Sequence, residues 1–254
     1  MQKNNFVYVK MQINTGATGG FCEGLKRVPD KTSWIWIMDD DAIPDINCLK
    51  YLCEAESITK NERASFFASA VFGKTGDPMN FTSIDYSPSK SSKMPDWHRY
   101  ISESLLKINC ATFVSILVRY DAFKKCGLPC RDYFIWGDDT EYTTRLTKYY
   151  GPAFLVGKSR VCHKREVARL SIEEQTDEKR LANFFYMYRN NLINVIFYSG
   201  IKTGLKVSIK LFIYAMKLLF AGKFKCSKII ISGIFGGWLS YKKFKRYIKE
   251  QIKI

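Results

Sequence analysis

Trp34-Ile35-Trp36-Ile37-Met38-Asp39-Asp40-Asp41 sets five apolar residues directly against three carboxylates. A run so rich in Trp and Ile predicts a strand buried on both faces. Ionised carboxylates resist that burial unless they are paired or hold a metal. The strand is therefore expected to end at a polar crevice, with Asp39, Asp40 and Asp41 on its lip. In open α/β sheets, ligands bind in the crevice beyond the carboxyl ends of strands.

Outward from this stretch, the chain alternates strand-like and helix-like segments. Phe6 to Gln12 reads as a strand. Asn14, Gly16, Gly19 and Gly20 form a turn that permits close backbone approach, and a short helix runs on to Arg27. After the strand over 33–38, a helix is expected from about Asp45 to Ser57 with Asp45 as its N-cap. Ala64 to Phe72 is a third strand, and residues 73–96 form a long polar loop of the kind that faces substrate. Ile108 to Val118 reads as one buried strand and Arg119 to Cys126 as a short helix ended by Gly127. The segment from Phe134 through Asp138, Asp139 and Glu141 opens a helix that Gly151-Pro152 stops. Ala153 to Cys162 is a strand that delivers His163, and from about Ile172 the pattern is helical to the end. These elements give an α/β fold with a mixed sheet and flanking helices, then a basic helical C-terminal region. The expected division is a core over 1–170 and a helical region over 171–254.

Charge separates the two parts. The chain carries +16 at pH 7, and from Ser199 onward thirteen Lys or Arg face one acid, Glu250. The tail thus holds +12 of the +16 and points to an anionic partner. In a helix over Ile201–Phe220, Lys202, Lys206, Lys210 and Lys217 fall within an arc of about 80°. Residues 228–240 form a second apolar piece, and Lys242 to Lys253 is basic again. Both suit an interfacial element against an anionic membrane surface; a helical subdomain with a solvated basic face is the plainer reading. Nucleic acid is not expected as a partner, because no basic motif sits in a groove-reading fold. The eight cysteines lack paired CxxC spacing and read as reduced thiols. No apolar stretch reaches the length of a membrane span, and the N-terminus lacks a signal-type apolar region.

Three features carry chemistry. Asp39-x-Asp41 places two side chains on one side of an extended chain, which suits a hard divalent cation such as Mg²⁺ or Mn²⁺. Loop acids exposed near a helix start offer the alternative reading. Asp138 and Asp139 stand at a helix N-terminus, where the dipole favours carboxylates. Asp138 could serve as a cap there, whereas Asp139 is the better general base. Glu141, one turn on, is placed to orient an acceptor hydroxyl. His163 is either a metal ligand or an ordinary polar contact at a strand end; His98, in a polar segment, is taken as ordinary.

The order of these motifs resembles the family 2 glycosyltransferases, above all their galactofuranosyltransferase and rhamnosyltransferase branch. The resemblance runs through Asn14-x-Gly16, the strand ending in Asp39-Asp40-Asp41, Trp136-Gly137-Asp138-Asp139-x-Glu141-Tyr142, His163, and Tyr186-x-Tyr188-Arg189-Asn190-Asn191. It implies a GT-A fold and an inverting, metal-dependent transfer of a sugar from a UDP- or dTDP-sugar. By the resemblance, Asp39, Asp41 and His163 hold Mn²⁺ or Mg²⁺, while Asn14, Gly16, Asp39 and Asp40 contact the nucleotide sugar. Asp139, assisted by Asp138, is the base, and Trp136 and Glu141 meet the acceptor. The implied acceptor is a glycan or lipid-linked glycan in cell-surface polysaccharide synthesis, at the cytoplasmic face of the cell membrane. The family also carries two earlier strands, with Thr-Tyr-Asn-Arg-like and Asp-x-x-Ser-like motifs, that grip the nucleoside. The resemblance begins after them, so the core is expected to be N-terminally incomplete. The alternative is a glycosyltransferase-like domain that binds glycan or membrane without turnover. An aspartate-nucleophile phosphohydrolase also uses a strand-end DxD, but its second Asp is usually followed by Gly or Val and then Thr, not by Ala42-Ile43-Pro44.

Overall fold

The computed structural model describes residues 6–79, 82–89, 92–165 and 171–252. Its centre is a seven-stranded mixed sheet: β1 (Trp34–Met38), β2 (Ala42–Pro44), β3 (Phe66–Phe72), β4 (Ser83–Ile84), β5 (Leu105–Cys110), β6 (Ser115–Arg119) and β7 (Ala153–His163). The strand order is β1-β6-β3-β7-β5-β4, with β2 paired to the far half of β7. Only β3 and β7 run parallel among these pairs.

Burial on both faces follows from the alternation along β1. Ile35 and Ile37 enter a core with Phe66, Ile116 and Val118 under α1 (Gly16–Leu25), α3 (Tyr120–Cys126) and α4 (Asp138–Tyr149). Trp34 and Trp36 turn the other way, toward Leu52 and Ala55 of α2 (Cys48–Ile58) and Phe67 of β3. The sheet is thus a middle layer between two helical layers. A buried polar chain runs through it. The Trp36 indole donates to Ser115 (3.0 Å), Ser115 meets Ser69 (2.8 Å), and Ser69 meets Ser159 (2.9 Å), which meets Cys48 on α2 (2.9 Å). Ser159 lies in the bulge where the β3–β7 register jumps between Ser69 and Ala70.

The helical region comprises α5 (Glu178–Ser199), α6 (Ile201–Phe220) and α7 (Phe224–Gln251). Asp177 caps α5, accepting from the Arg180 N–H at 2.9 Å. The region meets the core at the turn before α4, where the Tyr133 ring stands edge-on to Phe244 with centroids 5.0 Å apart.

Several sequence expectations are corrected. The described residues of the 6–12 segment form no strand, and Phe6, Val7 and Tyr8 are exposed. A strand needs a hydrogen-bonding partner, and none is supplied there among the described residues. The run over 108–118 is two strands, because the chain leaves β5 at Cys110 and crosses to β6, which pairs with different neighbours. The helix after β2 starts at Cys48, with Asn47 at the cap position; the Asp45 N–H donates instead to the Arg160 carbonyl (3.0 Å). The long loop contains the short strand β4. Residues 228–240 and the following basic stretch as far as Gln251 belong to one helix, α7, and Lys253 lies outside the described residues. Gly233 and Gly237 are not breaks in it: a Cβ there would stand 2.6 Å from Tyr188 and 2.9 Å from Leu192, so they let α7 close on α5.

Candidate active site

The turn after β1 folds the chain back, with the Ala42 N–H donating to the Asp39 carbonyl (3.3 Å), and β2 then pairs antiparallel with the end of β7. Its register sets Ala42 opposite His163, and the Lys164 N–H donates to the Asp41 carbonyl (2.9 Å). Residues more than a hundred positions apart thereby become cross-strand neighbours. His163 Nε2 lies 2.9 Å from Asp41 Oδ1. One ligand atom from each of Asp39, Asp41 and His163 falls within 4.8 Å of the others. Two carboxylates and an imidazole are a donor set suited to a divalent cation, and the group is open enough on the Asp41 side to leave positions for a substrate. Asp40 is exposed and stands outside this group.

The second acidic pair comes from the start of α4. Asp138 is buried and accepts from the Thr18 hydroxyl at 2.6 Å. The cap position is held by Gly137 with φ +83, so Asp138 is the first helical residue rather than the cap. Asp139 is half-buried; its Oδ1 accepts from the Thr140 N–H at 2.7 Å. The two acidic groups sense each other. Burial pushes the Asp39 carboxyl up to about 6; the His163 field opposes this, and the charges of Asp41 and Asp138 add to it. Burial, the Asp138 charge and then the Asp39 charge push Asp139 up to about 7. A carboxylate near 7 is tuned for proton transfer at neutral pH.

The loop entering α4 is strained: Phe134 and Trp136 have φ of 66° and 60°. Such backbone persists only where its surroundings hold it. The Asn190 side-chain amide of α5 donates to the carbonyls of Tyr133 (2.9 Å), Ile135 (3.1 Å) and Trp136 (2.7 Å). Asn194, one turn on, donates to the Gly137 carbonyl (2.8 Å) and accepts from the Tyr133 hydroxyl (2.6 Å). Arg189 adds a bond to the Asp132 carbonyl (2.7 Å). Arg189, Asn190 and Asn194 of α5 are therefore a clamp on the loop that presents Asp138 and Asp139. Sequence reasoning missed Asn194 and Thr18. Asn190 and Asn194 could have been noticed as two amides four residues apart, on one face of the helix.

Two expected contacts change character. Glu141 is fully buried; it pairs with Arg145 through two bonds (3.0 and 2.7 Å) and accepts from the Tyr198 hydroxyl (2.9 Å). A side chain so enclosed and so fully paired is a structural ion pair, not an acceptor contact. Gly16 has φ +70, and a Cβ there would lie 2.0 Å from the Phe134 carbonyl. The close approach it permits is thus to the strained loop, while Asn14 accepts from the Gly16 N–H (2.9 Å). The α1 segment reaches the acidic pair through Thr18 rather than through Asn14 or Gly16. Trp136 is half-buried, its ring edge-on to Phe184 at 5.3 Å.

No protein-family model matches the chain, and no curated protein matches it in sequence. Among solved structures it is similar to the crystal structure of GalNAc-T7 with UDP, GalNAc and Mn²⁺, with a TM-score of 0.51 at 14% identity. The fold is GT-A-like. The likeness covers 74% of this chain and 36% of that one, so this chain spans little more than a third of the length of the glycosyltransferase it matches.

Proposed function

We propose that the chain belongs to a metal-dependent, inverting glycosyltransferase that moves a sugar from a nucleotide diphosphate sugar to a hydroxyl of a glycan or lipid-linked glycan. The observation that carries this reading is the β2–β7 pairing, which gathers Asp39, Asp41 and His163 beside Asp139. It is supported by the GT-A-like fold and by the neighbour crystallised with UDP and Mn²⁺. Asp39, Asp41 and His163 would hold Mn²⁺ or Mg²⁺, which when bound neutralises part of the diphosphate charge and stabilises it as a leaving group. Asp139 takes the proton from the acceptor hydroxyl as its oxygen attacks the anomeric carbon, while the carbon–oxygen bond to the diphosphate breaks on the opposite face. Asp138, held by the Thr18 hydroxyl, adds its field to the burial that raises Asp139, and burial pushes Asp138 itself upward as well. Trp136 sits on the same clamped loop and lines the acceptor side. Asp40, exposed at the lip, is left to contact the donor.

The test is release of nucleoside diphosphate from a panel of UDP- and dTDP-sugars in the presence of Mn²⁺, with Asp139→Asn beside the wild type. General-base removal lowers such rates by about 10²–10⁴-fold. Equal rates in the two proteins rule out Asp139 as the base and favour a glycan- or membrane-binding domain without turnover.

A further inference from the structure

The helical region sorts the two apolar halves of the tail by what covers them. In α7, Ile230 is buried in a cluster with Leu181, Phe184 and Tyr188, and Ile229, Ile231 and Ile234 pack against that cluster. Those isoleucines are used inside the protein, although Phe224, Phe235 and Leu239 of the same helix are exposed. In α6 the packed side is formed by Gly204, Ala215 and Leu218, with Gly204 pressed so close that a Cβ would meet Ile196 at 2.4 Å. The rest of the helix faces outward, and beside a row of exposed lysines it carries an apolar strip. Ile201, Leu205, Ile209, Phe212, Ile213 and Phe220 are all between 50% and 85% exposed. At 100° per residue these six share one arc of about 120°, along a helix about 30 Å long. Singly exposed apolar residues are ordinary; a helix-long strip of them marks an interaction surface.

Charge decides among the occupants. Lys202, Lys206, Lys210 and Lys217 lie in an arc that overlaps one border of the strip, and α6 contains no acid. Glu173, which does reach α6, accepts from Tyr214 and is already paired with Lys223. A second copy seated on the same face would bring one lysine row toward another, and like charges across an interface oppose association. An apolar strip edged by lysines is instead complementary to acyl chains beneath anionic headgroups. No described helix is long and apolar enough to cross a membrane.

We propose that α6 is a membrane-seating helix that lies flat in the surface of an anionic bilayer. Its exposed strip from Ile201 to Phe220 inserts among the acyl chains, and Lys202, Lys206 and Lys210 meet the headgroups. Because α6 packs on α5, and α5 clamps the loop before Asp138, the seated helix stands one layer from the acidic pair.

The experiment is flotation of the full chain with vesicles of phosphatidylcholine alone and of phosphatidylcholine with phosphatidylserine. Binding is expected to the anionic vesicles, weakening as salt rises. Replacing Lys202, Lys206 and Lys210 by Gln should lower it about 100-fold. Ile209→Gln with Phe212→Gln should lower it at least about tenfold. These residues are exposed, so circular dichroism and the melting temperature should stay at wild-type values, and Asp41→Asn should float like the wild type. The proposal is overturned if the chain ignores anionic vesicles, or if both sets of variants bind as the wild type does. It is overturned equally if sedimentation shows a dimer that Ile209→Gln with Phe212→Gln dissolves and vesicles do not compete with. Vesicle binding and cation binding are read separately, so failure of either leaves the other standing.

Discussion

Glu141→Gln should unfold the protein well below the wild-type melting temperature. The Arg145 guanidinium has no exposed surface, and its carboxylate partner among the described residues is Glu141, at 3.0 Å from Nε and 2.7 Å from Nη2. Glutamine keeps the shape and removes the charge, which leaves a buried cation uncompensated. Breaking one side of such a pair costs about 3–5 kcal/mol. In a chain of 254 residues, each kcal/mol moves the melting temperature by about 2 °C, so the drop should be about 6–10 °C. Removing both partners, in Glu141→Leu with Arg145→Met, also removes the stranded charge. It gives up the bonds from Arg145 to the carbonyls of Cys126 (2.7 Å) and Leu128 (3.0 Å), a loss of about 1–3 kcal/mol. The double variant should therefore be less damaged than Glu141→Gln. Thermal and urea unfolding measure both. A Glu141→Gln protein that melts within about a degree of wild type, well short of that drop, would refute the buried pair and return Glu141 to the acceptor side.

The raised Asp39 carboxyl, moved from 3.8 to about 6 mainly by burial, makes stability depend on pH in a definite direction. Ionising it is harder in the folded chain than in the unfolded one, so its contribution is whole below pH 3.8 and lost as pH rises through about 6. In EDTA above that range, Asp39→Asn should be the more stable protein by up to about 3 kcal/mol, and saturating Mn²⁺ should reverse the order; urea midpoints that never cross would contradict this. Asn190→Ala removes three donor contacts to the strained loop and should lower stability by about 2–3 kcal/mol, with a near-ultraviolet dichroism change from Trp136. An unchanged spectrum would mean that the loop holds its shape without the clamp.

Much of this site was legible along the chain, and the rest was hidden for identifiable reasons. Trp34–Met38 was readable because an apolar run meeting three acids has few other structural solutions. The strand over Ala153–Cys162, observed one residue longer, and the helix over Ile201–Phe220, observed with those bounds, were legible too. The Phe6–Gln12 segment misled because alternation reports a willingness to pair, and pairing is decided by distant chain. Ile108–Val118 misled because a continuous apolar run does not reveal where the chain changes neighbours. Glu141 was read as functional by its place beside Asp139, although Arg145 stands four residues on, the spacing of a helical ion pair. The role of Gly233 and Gly237 was not legible because the partner that needs their missing side chains, α5, lies some forty residues earlier. That His163 would face Asp41 depends on β2, a strand of three residues too short to be seen in sequence.

The most direct measurement is Mn²⁺ binding by calorimetry at pH 7.5, a value chosen above the raised Asp39 and Asp139 carboxyls, comparing wild type with Asp39→Asn, Asp41→Asn and His163→Ala. One cation per chain is expected, tightened by UDP, and weakened at least about tenfold by each substitution, whereas Asp40→Asn should bind as the wild type does. Mn²⁺ binding that is absent, or that survives all three substitutions unchanged, would contradict the site at the end of Trp34–Asp41.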